Sequence, residues 1–272
     1  MNTPVPNNGR PLAVVTGATG GIGSAISLRL ASEGFNLLCA YSSNHGLAAK
    51  LRQGIQQQGV QCQTVCCDFA DPESVDVVES AAQDALNGFG GQLSGLVNNA
   101  ALLLGPSLRD ATVRQFDEYI SVNARAPLFL TQRLSKFMVR GGAVVNISSA
   151  GVHFSSPGDI VYSMSKAALE ALSFHAAEFL AERKIRINTV IPGFTDNGHE
   201  LFSVPAAKEH MSSYSVLGGV ASPGDVAEAV HFLISERSSR VTGTTLDISG
   251  GSLLGARQRT DGSLSLRSLR DE

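Results

Sequence analysis

Tyr162 and Lys166 stand four residues apart in VYSMSK, and Ser149, the second serine of NISS, precedes the tyrosine by thirteen residues. In a helix the i,i+4 interval sets phenol and ammonium on one face, one turn apart. A cation in that place favours phenolate over phenol and lowers a pKa that is otherwise about 10. A tyrosine so placed can give or take a proton near neutral pH. The amino-terminal part of the chain points to what the proton accompanies. TGATGGIG, with Gly17, Gly21 and Gly23, follows a short apolar run and opens a helical stretch. One glycine permits the tight turn, another lets backbone approach a pyrophosphate, and a third lets helix pack on strand, with the helix N-terminus aimed at phosphate. The spacing differs from GxGxxG, but the strand before and the helix after are what dinucleotide binding requires.

The elements that must hold these residues alternate along the chain. Apolar runs bounded by turn residues predict strands at 12–16, 35–41, 60–67, 93–98, 143–148, 185–191 and 244–248. Between them lie helical stretches at 22–33, 47–58, 72–86, 112–138, 160–183 and 225–235. Gly34 and Gly59 close the first two, Pro72 opens the third, and Pro127 kinks the long fourth. Such alternation implies an α/β fold, a doubly wound parallel sheet with helices on both faces. No internal repeat, charge run or linker divides it. Residues 1–251 therefore read as one catalytic domain and 252–272 as a flexible carboxy-terminal tail.

Composition narrows the function classes. Among 272 residues 43% are hydrophobic, enough for a sizeable core. A net charge of -3 and a pI near 6.1 argue against nucleic acid or an anionic membrane as partner. No stretch approaches the roughly 18 apolar residues of a spanning helix, and MNTPVPNNGR carries no export signal. Cys39, Cys62, Cys66 and Cys67 fit neither a metal spacing nor a disulfide framework, and read as plain buried thiols in a reducing cytoplasm.

TGATGGIG, NNAA at 98–101, SVN ending at Asn123, Ser149, YSMSK and the PG of IPGF, taken together and in order, resemble the short-chain dehydrogenase/reductase family. The resemblance covers roughly residues 12–251 and is closest in character to the 3-oxoacyl-thioester reductases. It implies a single Rossmann-like domain of seven parallel strands that binds NAD or NADP and assembles as a homo-oligomer, a tetramer foremost. It also implies a catalytic set of Asn123, Ser149, Tyr162 and Lys166. In that set Tyr162 protonates the substrate carbonyl oxygen and Ser149 hydrogen-bonds it. Lys166 lowers the phenol pKa and holds the nicotinamide ribose, and Asn123 anchors a water that relays protons. Ser148 also lies in NISS, but the thirteen-residue interval selects Ser149.

The cofactor residues that the resemblance implies are Gly17, Thr19, Gly21, Ile22 and Gly23 in the first turn, Tyr41, Ser42 and Ser43 after the second strand, and Asp68 and Phe69 after the third. Asn99, Ala100, Tyr162, Lys166, Pro192, Gly193 and Thr195 complete the set. An NAD enzyme places a carboxylate at the end of the second strand. Tyr41, Ser42 and Ser43 stand there instead, which favours NADP (NADPH) over NAD; no metal is called for. Asn197 occupies the place where the family often carries threonine. The substrate loop corresponds to residues 194–220, where His199, Phe202, Met211 and Tyr214 suggest a partly apolar pocket without fixed charge. His153 is either a pocket residue with Phe154 or a surface histidine. The expected activity is reduction of a small-molecule or acyl-thioester ketone, with steroid, sugar or polyketide ketones open. A protein that senses NADP(H) without turnover is the alternative, and the intact four-residue set argues against it.

Overall fold

A computed structural model of the chain describes residues 9–254 apart from 156 and 199. Its strands are β1 (Pro11–Thr16), β2 (Asn36–Tyr41), β3 (Cys62–Cys66), β4 (Gln92–Asn98), β5 (Met138–Ile147), β6 (Arg186–Pro192) and β7 (Thr245–Ile248). They form one sheet in the order β3-β2-β1-β4-β5-β6-β7, and every neighbouring pair is parallel. Parallel pairs need long crossovers. These run through α1 (Gly21–Ser32), α2 (His45–Gln56), α3 (Ser74–Phe89), α4 (Val113–Ile120), α5 (Ala126–Leu134), α6 (Ile160–Ala181), α7 (Pro205–Ser212) and α8 (Pro223–Ile234). The order reverses between β1 and β4, which opens a crevice at the carboxyl ends of these strands.

Because helices cover both faces, the central strands are buried throughout rather than on alternate residues. On one face Val14, Leu38, Leu96 and Val144 pack with Val78, Leu130 and Leu134 of α3 and α5. On the other Val15, Cys39, Val97 and Val145 pack with Ile26, Leu30, Val230 and Leu233 of α1 and α8. A chain of buried polar groups crosses the first face. The Asn98 amide donates to Asn146 Oδ1 at 2.8 Å and to Thr131 Oγ1 at 3.3 Å. The Asn146 amide donates to Ser173 Oγ at 2.9 Å, and that hydroxyl meets Thr189 Oγ1 at 2.7 Å.

The predicted seven strands and most helices are present, with shifts of up to three residues at their ends except at the start of β5. The helix predicted over 112–138 is two helices joined by a π-helical turn, Ser121–Arg125, in which the Ala126 N–H reaches back five residues to the Ser121 carbonyl. Pro127 falls in the first turn of α5, where a missing N–H is tolerated. The irregularity is therefore the inserted π turn, not a proline kink. β5 starts at Met138 rather than 143, since Met138 pairs with Leu93 before a register shift carries the strand past Gly141, which has φ +91°. Helix α7 was not foreseen within the loop, although Pro205 marks its first turn. α3 starts at Ser74, two residues past Pro72. Among the described residues no helix is long and apolar enough to cross a membrane. Of the predicted tail, residues 252–254 form a short helical turn anchored by the Ser252 N–H on Ser249 Oγ, and the rest lies outside the described residues.

Candidate active site

The crevice is lined first by the glycine turn. Gly17 has φ +62°, and a Cβ there would sit 2.8 Å from Ala100 Cα. The turn is locked to the end of β4. Thr16 Oγ1 accepts from the N–H groups of Asn99 and Ala100, both at 3.0 Å, and the Asn99 amide donates to the carbonyls of Thr16 and Gly17. A Cβ on Gly23 would lie 2.2 Å from the Gly17 carbonyl oxygen, so this glycine lets α1 approach β1. α1 starts at Gly21 with no side chain capping it and no acid in its first turn, which leaves an N-terminus suited to an anion. Gly21 has a second neighbour: its missing Cβ leaves room for the Asn197 backbone, whose carbonyl oxygen would be 2.5 Å away. The start of the substrate loop thus rests on the glycine turn. Thr19 stands in the turn, half-buried, and Ile22 packs into the core behind it.

Past β2, Ser42 and Ser43 are exposed beside the start of α2, whose N-cap Asn44 accepts from the Leu47 N–H at 2.9 Å. Tyr41 is turned inward, its hydroxyl 2.8 Å from His45 Nδ1. Asp68 is exposed and folds back to accept from the Ala70 N–H at 2.9 Å. The Phe69 ring lies in the core, so only its backbone faces the crevice edge. Gly193, after Pro192, sits where a Cβ would meet the Ser249 carbonyl at 2.8 Å. Thr195 is buried with its hydroxyl on the Gly193 carbonyl at 3.1 Å.

The four residues of the predicted catalytic set converge where β5, α6 and the π turn meet. Lys166 is 2% exposed and donates to the Ile147 carbonyl, the last of β5, at 2.7 Å. Its Nζ lies 5.9 Å from the centre of the Tyr162 ring. Ser149 follows at once, near enough to the Tyr162 phenol to draw its pKa down, and accepts from the Gly151 N–H at 3.2 Å. Gly105 lies against the Tyr162 backbone, where a Cβ would come within 2.9 Å. The loop that carries it is tied down by the Tyr119 hydroxyl, which donates to the carbonyls of Leu103 and Leu104.

Asn123 lies within the π turn and is fully buried. Its Oδ1 accepts from the Leu102 N–H at 2.8 Å, and its amide donates to the Leu102 carbonyl at 3.1 Å and to Ser165 Oγ at 2.9 Å. The side chain is thus a strut between the 102–105 loop and α6. Its main-chain carbonyl has no α-helical partner, since Pro127, four residues on, has no N–H to give.

Electrostatics correct one expectation. Burial pushes the Tyr162 phenol up to about 12, with the Ser149 hydrogen bond acting the other way. Burial also pushes Lys166 down to about 7, against the pull of Glu170. Lys166 therefore does not hold the phenol below 10 in the chain by itself, because the same dry surroundings that bring the pair together disfavour both charges.

On the substrate side Tyr214 joins three rings: Phe154 from the turn after Ser149, Phe194 from the start of the loop, and His210 from α7, at centroid distances of 5.1, 5.4 and 5.4 Å. His153 faces the other way, onto Glu170 at 3.1 Å. His199 lies outside the described residues. A cavity of about 620 Å³ extends from Phe194 and Met211 along residues 215–221 to the end of β7. Sequence reasoning missed Tyr119, His45 and Glu170; of these only Glu170 had a signal, its place one helical turn beyond Lys166.

A doubly wound sheet with a glycine turn at its switch point and a half-buried tyrosine beside a buried lysine defines an oxidoreductase that works with a nicotinamide dinucleotide. The profile of a family described as enoyl-(acyl carrier protein) reductase matches residues 17–252, and the chain belongs to the short-chain dehydrogenase/reductase family. A 3-oxoacyl-[acyl-carrier-protein] reductase of Staphylococcus aureus is 32% identical, over 88% of this chain and 96% of its own. An angucycline C-6 ketoreductase with bound NADP superposes with a TM-score of 0.86 at 37% identity, covering 91% of this chain and all of its own. A promiscuous reductase that performs keto-reduction at C1 in lugdunomycin biosynthesis superposes at 0.87, with 38% identity over 92% of this chain and all of its own.

Proposed function

We propose that the chain is an NADPH-dependent ketoreductase whose substrate carries its ketone on a bulky, apolar, polyketide-type skeleton. The aromatic cluster around Tyr214 supports this reading, since Phe154, five residues after Ser149, joins it to the turn that follows β5. Exposed Leu103 and Leu104, in the loop that packs on Tyr162, add apolar surface. The angucycline and lugdunomycin reductases act on ketones of this kind, and the former holds NADP. Exposed Ser42 and Ser43 at the start of α2, with no carboxylate beside them, suit a 2′-phosphate.

When bound, the reduced nicotinamide supplies hydride. Tyr162 gives its hydroxyl proton to the carbonyl oxygen, and Ser149 orients that oxygen by a hydrogen bond. Lys166, fixed on the Ile147 carbonyl, offers its remaining donors to the nicotinamide ribose. Asn123 keeps the 102–105 loop and α6 in register around the tyrosine. The glycine turn and α1 take the pyrophosphate, with Asn99 and Ala100 fixing the turn.

A second reading, reduction of a 3-oxoacyl thioester, is favoured by the Staphylococcus aureus relative. The test is NADPH oxidation by the purified protein with polycyclic aromatic ketones, acetoacetyl thioesters and cyclic diketones, and NADH in parallel. Faster turnover of polycyclic ketones, with NADPH preferred, is the expected result. Preference for the thioesters would select the second reading. Zero turnover with tight NADPH binding would leave a cofactor sensor. We further take residues 1–251 as one catalytic domain that works as a homo-oligomer in the cytoplasm. Phe174 and Phe179 stand 69% and 71% exposed on α6, an apolar surface that a second copy would cover.

A further inference from the structure

We propose that Glu170 is a positioning residue of this active site: its carboxylate bridges the turn that carries Ser149, holding Ser148 on one side and His153 on the other, and so fixes where the Ser149 hydroxyl points. The proposal rests on the reading of Ser149 and Tyr162 given above.

Tyr162, Lys166 and Glu170 follow one another at intervals of four on a single stripe of α6. Three consecutive residues at the end of β5 meet that stripe. Ile147 receives the Lys166 ammonium, Ser149 lies beside the Tyr162 phenol, and between them Ser148 Oγ donates to Glu170 Oε1 at 2.5 Å. His153 Nε2 lies 3.1 Å from Oε2 and 3.2 Å from Oε1 of the same carboxylate. The Glu170 side chain is only 14% exposed. A carboxylate in such a place needs compensating bonds, and here they come from Ser148, just before Ser149, and His153, four residues after it.

The turn has other bonds as well, among them the Gly151 N–H on Ser149 Oγ at 3.2 Å. Val152 and His153 N–H groups reach back to the Ser149 and Ala150 carbonyls, and Ser163 Oγ donates to the Gly151 carbonyl at 3.1 Å. The Ser148 N–H donates to the Val190 carbonyl of β6 at 2.9 Å and fixes its backbone, while its hydroxyl is held by Glu170. Phe154, next to His153, stacks on Tyr214, so the same tether reaches the wall of the substrate site. The titratable groups around Glu170 are His153 from the turn, and Lys166, Tyr162 and His175 on its own helix. The β7 side offers Gly243, Thr244 and Thr245. Glu170 supports the charged form of Lys166 as well.

The experiment compares Glu170→Ala, Glu170→Gln, Ser148→Ala and the Glu170→Ala/Ser148→Ala double variant. Steady-state ketone reduction, NADPH affinity by fluorescence and thermal midpoint are measured for each. Misplacement of a reacting group by about 1 Å can cost on the order of 100-fold. Glu170→Ala and Ser148→Ala are therefore expected to lower kcat by about 10-fold or more, with NADPH affinity within about twofold. The double variant should be no worse than Glu170→Ala, because both act through one bond. Glu170→Gln, whose amide oxygen still accepts from Ser148, should recover most of the rate. A kcat within twofold of wild type for Ser148→Ala, or independent effects that multiply in the double variant, would overturn the proposal. If Glu170→Ala does not fold, Ser148→Ala and Glu170→Gln decide the matter. If the wild-type protein reduces no ketone, the functional reading fails instead. The positioning role is then read from the Tyr162 phenol, assigned by Tyr162→Phe in ultraviolet difference titration. Ser148→Ala should raise its pKa by loosening the Ser149 bond, and an unchanged titration would count against Glu170.

Discussion

Replacing Lys166 with methionine should make the protein more stable while abolishing turnover. The side chain is 2% exposed, and burial carries its pKa from 10.5 to about 7. At about 1.4 kcal/mol per pH unit, that fall costs the folded, charged form about 5 kcal/mol. Methionine follows nearly the same path without the charge but leaves the Ile147 carbonyl without its donor, a loss of about 1–3 kcal/mol. The balance favours the variant by about 2–4 kcal/mol where lysine is charged in both states, and at roughly 2–4 °C per kcal/mol the thermal midpoint should rise by about 5 °C or more. The sign of the pH dependence is fixed by which state holds the proton. Between about pH 7 and 10.5 the unfolded lysine is protonated and the folded one is not, so wild-type stability rises with pH through that window. The full cost applies below it. The gap between Lys166→Met and wild type should be widest near about pH 6 and shrink steadily toward about pH 10. Chemical denaturation of both proteins across this range, with cofactor omitted, measures it. A variant less stable than wild type at the acid end, or a gap that does not change with pH, would refute the reasoning.

Tyr162→Phe keeps the ring but removes the proton donor, so reduction of a ketone should fall by several orders of magnitude with NADPH affinity nearly unchanged; retention of more than a few per cent of the rate by single-turnover kinetics would assign the proton elsewhere. A carboxylate at the end of β2 should turn cofactor preference toward NADH, and Ser42→Asp is the position to use, because Tyr41 is buried against His45 and its replacement would also disturb packing. The ratio of kcat/KM for the two cofactors is the measure, and an unmoved ratio would mean that the 2′-phosphate lies elsewhere. Phe174→Glu together with Phe179→Glu should convert an oligomer to monomer in light scattering at micromolar concentration, and an unchanged mass would free α6 from the interface.

The parallel sheet was legible because buried strands leave plain marks: AVVT, LLCA, GLVN, AVVNI and INTVI are apolar runs between helical stretches with turn residues at the joins. The glycine turn was legible for the same reason, since its residues are set by close backbone approach. What stayed hidden depends on neighbours distant in the chain. The π turn at Ser121–Arg125 keeps helical periodicity, and only the meeting of Asn123 with Leu102 and Ser165 reveals its use. Gly21 reads as a phosphate glycine, yet its missing Cβ also makes room for Asn197, some 176 positions on. The phenol pKa went the wrong way because spacing on a helix shows which charges are near but not how dry the place is.

The buried polar chain of Asn98, Asn146, Ser173 and Thr189 has a consequence for how the sheet finds its alignment. Apolar runs covered on both faces look much alike when slid by two residues, so hydrophobic pairing alone distinguishes poorly between the right alignment and its neighbours. Asn98 and Asn146 are opposed across β4 and β5, and Asn146 and Thr189 across β5 and β6, so one polar residue on each strand must arrive at the same level. A slip would strand these groups among aliphatic side chains at about 1–3 kcal/mol apiece. Three neighbouring strands of the sheet thus carry their own check on alignment, and a misthreaded sheet is disfavoured.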